Sequence, residues 1–185
     1  MAGTYDGVTL TALSHVDGDE NPSGVGELAY LMRYSDMATI QEPTISTSPE
    51  SVLTISGTHT MKASKSPITC EPVFEKNDFE SPLQGEVYSK IWNPKLTLFM
   101  AQPSIAAAGG ISALKNARLI ALFRRPGQTT NYQQIGGKAM AAKIAEGSVK
   151  FGKGPTGEPG IMFVLEAHST QPFYYYTGTV PVTGV

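Results

Sequence analysis

The sequence predicts a mainly-β fold, a sandwich or barrel of about seven or eight strands with one flanking α-helix. Three observations carry this. Charged residues make up only 16% of the chain, against roughly 25% in an average soluble domain, and Thr and Ser fill the gap. Such a weakly charged, Thr-rich composition suits strands better than freely solvated helices. Nineteen Gly and 13 Pro cut the chain into short segments. Between these breaks, apolar residues recur with a period of two at 95–102, 117–136 and 160–180, the spacing that puts one face of a strand in a core.

The elements follow in order. Residues 1–26 are polar and Gly-rich and read as a flexible N-terminal arm, leaving 27–185 as one sandwich domain. The run 27–35 places Leu28, Tyr30, Met32 and Tyr34 on one face of a strand, and 36–50, with two Pro, reads as a long loop. Residues 51–61 alternate loosely. In 66–75, Pro67 and Pro72 restrict the run to an edge or bulged strand. Residues 95–102 set Leu96, Leu98 and Met100 on one side. The helix is expected at 104–117, with Ser104 as its cap and Gly109-Gly110 weakening it by about 1 kcal/mol each relative to Ala. Residues 117–136 form a hairpin turning at Pro126-Gly127-Gln128. A second short helix is expected at 138–146, KAMAAKIAE, stopped by Gly147, before final strands at 160–168 and 173–180.

Several chemistries are set aside by the same residues. Cys70 is the only cysteine, so an intrachain disulfide is excluded and folding in a reducing compartment is expected. Its acidic neighbour Glu71 does not favour a thiolate, so Cys70 reads as a buried structural residue. The N-terminus has no basic segment leading into an apolar run, and no apolar stretch reaches the length of a membrane span. A pI near 5.9 argues against a dedicated nucleic-acid binder. Residues 152–157, Gly-Lys-Gly-Pro-Thr-Gly, match a dinucleotide fingerprint literally. However, Pro155 removes an N–H and a strand-like run follows where a helix N-terminus is needed. His15, His59 and His168 lack metal-ligand spacing, and no nucleophile elbow occurs. No catalytic residue, cofactor or metal is therefore expected, and the chain reads as a non-enzyme.

Two clusters allow a binding reading. Glu71, Glu75, Asp78, Glu80 and Glu86 could pair carboxylates for glycoside hydrolysis, or simply line a solvated loop. Tyr174, Tyr175 and Tyr176 beside Phe173 could stack on a sugar, or form a strand shared between core and contact. A carbohydrate-binding β-sandwich thus stands as one alternative.

Charge is distributed unevenly. Residues 1–50 hold Asp6, Asp17, Asp19, Glu20, Glu27, Asp36, Glu42 and Glu50 against Arg33. Residues 115–153 hold Lys115, Arg118, Arg124, Arg125, Lys138, Lys143, Lys150 and Lys153 against Glu146. The split either pairs within one fold or steers copies together head to tail, with Asp19 and Glu20 facing Arg124 and Arg125 as candidate inter-subunit contacts and with association weakening as salt rises.

The second half brings a family into view. It runs QGEVYSKIWNPKLTLFM, a small-residue segment, NARLIALFRRPGQTTNYQQIGG, a Gly-rich turn, and IMFVLEAHSTQPFYYYTGTV. Over roughly 25–180 this order resembles the tail tube (major tail) proteins of long-tailed bacteriophages, particularly those of Bacteroidetes hosts. The resemblance implies a β-sandwich with a flanking helix, made in the host bacterial cytoplasm and ending in the virion. It implies six copies per ring, with rings stacked with other tail proteins into a tube. DNA leaves through the lumen without gripping it, so the lumen wall is expected to be acidic or neutral. The arm 1–26 and the loop 36–50 would reach neighbouring copies. Another virion component, a capsid-stabilising or head-completion protein, is the second alternative.

Overall fold

In the computed structural model, the structure describes residues 5, 7–11, 22–101, 103–154 and 156–182. The strands are β1 (Ala29–Arg33), β2 (Met37–Thr39), β3 (Thr54–Ile55), β4 (Thr60–Met61), β5 (Ile68–Cys70), β6 (Asp78–Glu80), β7 (Leu83–Gln84), β8 (Ile91–Trp92), β9 (Lys95–Met100), β10 (Leu119–Phe123), β11 (Tyr132–Ile135), β12 (Lys143–Lys150), β13 (Gly160–Glu166) and β14 (Tyr174–Tyr176), with helix α1 at Ile105–Leu114. Two sheets form the sandwich. One has six strands in the order β3-β14-β11-β10-β1-β5, and the other has four in the order β12-β13-β9-β6. Small two-stranded pairs, β2 with β4 and β7 with β8, complete the fold. The mainly-β class and the single principal helix agree with the sequence; the strand number is higher because several strands have only two or three residues.

The core between the sheets is built by alternation. Leu119, Ala121 and Phe123 of β10 and Leu31 of β1 face Leu96 and Leu98 of β9 and Ile161, Phe163 and Leu165 of β13, all almost fully buried. The alternate residues of the six-stranded sheet, Met32, Ile120, Leu122, Tyr132 and Tyr176, enter a second core with Met37 and Met61 of β2 and β4. That sheet is therefore covered on both faces, and β10 reads LIALF without a polar break for this reason.

One buried histidine joins the second core to its cover. His59 is fully buried and its ring stacks on Tyr176 at 4.6 Å. Its Nδ1 accepts the Gln41 N–H at 3.0 Å, so Nε2 carries the proton and donates to Gln134 Oε1 at 2.8 Å. Its backbone N–H donates to the Tyr176 hydroxyl, which donates to the Thr179 carbonyl at 2.7 Å. Burial holds the imidazole below its usual pKa, although the Gln134 bond works the other way. The unfolded chain consequently takes up the proton first on acidification. The His59 contribution to stability is complete above about pH 6.5 and is lost as the pH falls below it. Melting temperatures between pH 7.5 and 5 are expected to fall on the acid side, and to fall less in His59→Gln. An unchanged pH slope in that variant would show that His59 is not the group responsible.

Two sequence expectations require correction. The helix expected at 138–146 is absent: Lys143–Lys150 is strand β12, paired along β13 from Lys143↔Glu166 to Lys150↔Gly160. The acid-rich stretch read as a solvated loop contains β6, which pairs with β9. The packed domain also starts slightly before 27, since Val25 is fully buried and the Gly26 N–H donates to the Arg124 carbonyl at 2.7 Å. Of the remaining arm, the Thr9 N–H donates to the Thr47 carbonyl and the Tyr5 hydroxyl accepts from Gln171. Gly136 is required where β11 ends. Its φ is +82°, and an added Cβ would lie 2.7 Å from the Ala142 nitrogen.

Candidate assembly surface

A sandwich of open sheets leaves strand edges, and edges carry unused hydrogen-bonding groups. The six-stranded sheet ends in short strands, β3 with two residues and β5 with three, and Pro67 and Pro72 flank β5. The four-stranded sheet ends differently. β12 is an eight-residue edge strand, the longest strand among the described residues, and most of it is exposed. Val149 near its end and Phe151 just beyond it are 48% and 80% exposed. The opposite edge is β6.

The free face of this sheet has an ordered charge pattern. Glu80 of β6 stands opposite Lys95 of β9, Lys95 opposite Glu166 of β13, and Glu166 opposite Lys143 of β12. Residues opposite one another share a face, so acid and base alternate across all four strands. Lys95 Nζ lies 3.9 Å from Glu80 Oε1, and Glu166 Oε1 accepts from Asn93 Nδ2 at 2.7 Å. The row starts with an acid at one edge and ends with a base at the other. In the neighbouring row, Asp78, Thr97, Val164 and Glu146 follow one another in the same way. Neighbouring strands are antiparallel throughout, so β6 and β12 run in opposite directions. A second copy placed with its β6 beside β12 would continue the antiparallel alternation and set its Glu80 near Lys143.

The residues singled out by sequence lie elsewhere. Arg124 stacks on Tyr132, its guanidinium 4.3 Å from the ring centre, and donates to the Tyr132 hydroxyl. Arg125 is beside it, and its Nη2 donates to the Pro22 carbonyl at 3.3 Å. Asp19 and Glu20 fall outside the described residues. Part of the charge split is used within the chain. Lys138 pairs with Glu42 at 3.6 Å, and Arg118 covers the Tyr34 ring at 3.9 Å. Glu71 and Glu75 line an open groove of about 960 Å³ with Arg124 and Arg125, while Glu80 belongs to the charge row. In the tyrosine run, Tyr176 is buried, the Tyr175 hydroxyl accepts from Asn131 at 2.8 Å, and the Tyr174 hydroxyl accepts from Ser169. Cys70 is buried and its thiol is pushed up to about 11 by that burial. Gly152, Lys153, Gly154, Thr156 and Gly157 lie between β12 and β13, with a strand following them. Among the described residues, no cluster of His, Cys, Asp and Glu is arranged to hold a metal.

The charge row escaped sequence reading because its four members come from 80, 95, 143 and 166, and only strand register brings them into line. No family model matches the chain, and neither the curated proteins nor the solved structures compared with it include a match.

Proposed function

We propose that the chain is a structural virion protein that assembles into hexameric rings stacked as the tail tube of a long-tailed bacteriophage. The observation that carries this reading is the four-stranded sheet. It has a long exposed edge, a second open edge of opposite direction, and a charge row whose two ends are complementary. The bacteriophage tail resemblance of 25–180, the sandwich with its flanking helix, and the exposed apolar residues near the end of β12 support it as well.

Joining β12 of one copy to β6 of the next is a heterologous contact, which closes into a ring when the rotation per copy allows it. A ring of six four-stranded sheets is a large β-barrel, of the size class that encloses an aqueous channel. The inner face of each sheet is already packed against its own six-stranded partner. The free face therefore lines the channel. It presents Asp78, Glu80, Glu146 and Glu166 against Lys95, Lys143 and Lys150, a nearly balanced set that offers a passing phosphate backbone no continuous basic track. Imaging the purified chain tests the reading, and stacked six-fold rings are the expected result.

A further inference from the structure

Acid weakens the whole fold through His59, but one segment depends on that ring more than its neighbours do. Residues 40–45 run from the end of β2 to Ser46, whose N–H donates to Ser51 Oγ at 2.9 Å. None of the six lies in a strand or helix. Ile40 packs against the second core, and the Gln41 stem lies over Gly57. Among the described residues, one hydrogen bond and one ion pair tie the segment to the body. The Gln41 N–H donates to His59 Nδ1 at 3.0 Å, and Glu42 pairs with Lys138 at 3.6 Å. The ion pair is exposed and contributes little. Between the segment and the six-stranded sheet there is a cavity of about 310 Å³, lined by Gln41, Pro43, Ile55, Gln134, Lys138 and Tyr174. The segment therefore spans a hollow and is held near its middle by the imidazole.

The other neighbours of the ring are fixed in the six-stranded sheet. Gln134 of β11 is paired with β10 on one side and β14 on the other. Its Nε2 donates to the Gly136 carbonyl at 2.9 Å, which holds its Oε1 toward His59 Nε2. Tyr176 belongs to β14, which pairs with both β11 and β3. Neutral imidazole has one acceptor nitrogen, and the Gln41 N–H uses it. An imidazolium has none. Gln134 can still accept from Nε2, whereas the Gln41 N–H would face a second N–H and lose its acceptor. Of all the elements around the ring, the one with the fewest ties is thus the one that protonation repels.

Few other titratable groups face the ring. Glu42 of the segment turns to Lys138, which follows β11. β11 supplies the Tyr132 hydroxyl, which accepts from Arg124. β14 supplies the Tyr174 and Tyr176 hydroxyls, and burial raises the Tyr176 pKa further above its ordinary value. Residues 54–58 and 177–180, and strands β2 and β4, supply none. Beyond β4, Lys62 Nζ donates to the Ser35 carbonyl. No carboxylate is hydrogen-bonded to the ring among the described residues.

We propose that residues 40–45 form a strap held shut by neutral His59, and that proton uptake by the ring releases it while both sheets stay intact. The proposal rests on the fold of one copy and does not depend on the assembly reading. Once the strap lifts, the ring meets water and takes up a proton near its ordinary value of about 6.5. Burial keeps the covered ring below that value. Opening is therefore favoured as the pH falls below about 6.5, by up to tenfold per unit, until the pH reaches the lower value.

Native-state hydrogen exchange of the full chain, followed by NMR and corrected for the intrinsic pH dependence of exchange, tests this. Protection of the Gln41 amide is expected to fall about tenfold between pH 7.5 and 5. Its exchange is expected to be unaffected by sub-denaturing urea, because a local opening exposes little surface, while the Leu122 and Phe163 amides exchange through a urea-sensitive global opening. In His59→Gln, whose side-chain oxygen can accept the Gln41 N–H but does not titrate, the protection should no longer depend on pH. In Glu42→Gln the pH dependence should remain. Gln41 protection that does not change with pH, or that is lost only through the urea-sensitive opening, would overturn the proposal in the unsubstituted chain alone. A pH dependence that persists in His59→Gln, or that disappears in Glu42→Gln, would assign the sensor to another group and overturn it too.

Discussion

Ala145→Pro is expected to leave the monomer folded and to raise the concentration needed for association by about tenfold or more. Along β12 the register with β13 shifts between Ile144↔Leu165 and Glu146↔Val164, so Ala145 is the extra residue of a bulge. A bulged residue is left unpaired by the partner strand, and bulges are among the few places where a strand tolerates proline. Ala145 has no Cα partner on β13, so proline there falls outside the β12–β13 register and adds a ring on the edge strand, where a second copy would pair. Thermal melts followed by circular dichroism should place the variant within about 1 kcal/mol of the unsubstituted chain. Sedimentation velocity should show it as a monomer where the unsubstituted chain associates. Ala145→Ser, which keeps the donor, is the control and should associate normally. Association of the proline variant at the original concentration would remove β12 from the interface.

Phe163→Ala is expected to destabilise the monomer by about 3–5 kcal/mol. Phe163 is fully buried at the middle of β13, opposite Leu98 of β9, with its ring in the core between the sheets. Gly147 stands opposite it on the other side, so no large neighbour on β12 can fill the space left by the ring. For a chain of this length, each kcal/mol corresponds to roughly 2–4 °C in melting temperature, so a fall on the order of 10 °C is expected. Urea unfolding would measure it directly. A loss below about 1 kcal/mol would mean that the sheets are not joined through this residue.

The clearest part of the fold in the sequence was the hairpin of β10 and β11. Its strands are apolar or β-favouring, and Pro126-Gly127 marks the turn, so local chemistry and tertiary structure agree. Helix α1 was legible for a similar reason: the Ser104 hydroxyl accepts the Ala107 N–H at 3.1 Å as its cap. β12 was not legible. KAMAAKIAE is composed of good helix formers, and intrinsic propensity is a weak prior that pairing along a whole strand overrides. The bulge at Ala145 hid it further, since it breaks the period-two pattern that places Ile144 and Val149 opposite Leu165 and Ile161. β6 was obscured by its charges. Asp78 and Glu80 look solvated along the chain, yet they flank Phe79, which packs into the core.

The candidate surface was less legible than the fold. Opposed charge in two segments suggested contact between copies, but sequence could not separate charges already engaged within the chain from those at a sheet edge. Arg124 is tied to Tyr132 and Lys138 to Glu42, while Lys143 stands at the edge in a row ending in Glu80. That distinction depends on register, which is set by the whole sandwich.

Negative-stain electron microscopy of the purified full chain, over a range of concentrations that spans association, tests the central claim most directly. Rings with six-fold symmetry that stack into tubes with an open axial channel are the expected result. Particles that remain monomeric at every concentration, or that stop at closed two-fold dimers, would contradict it.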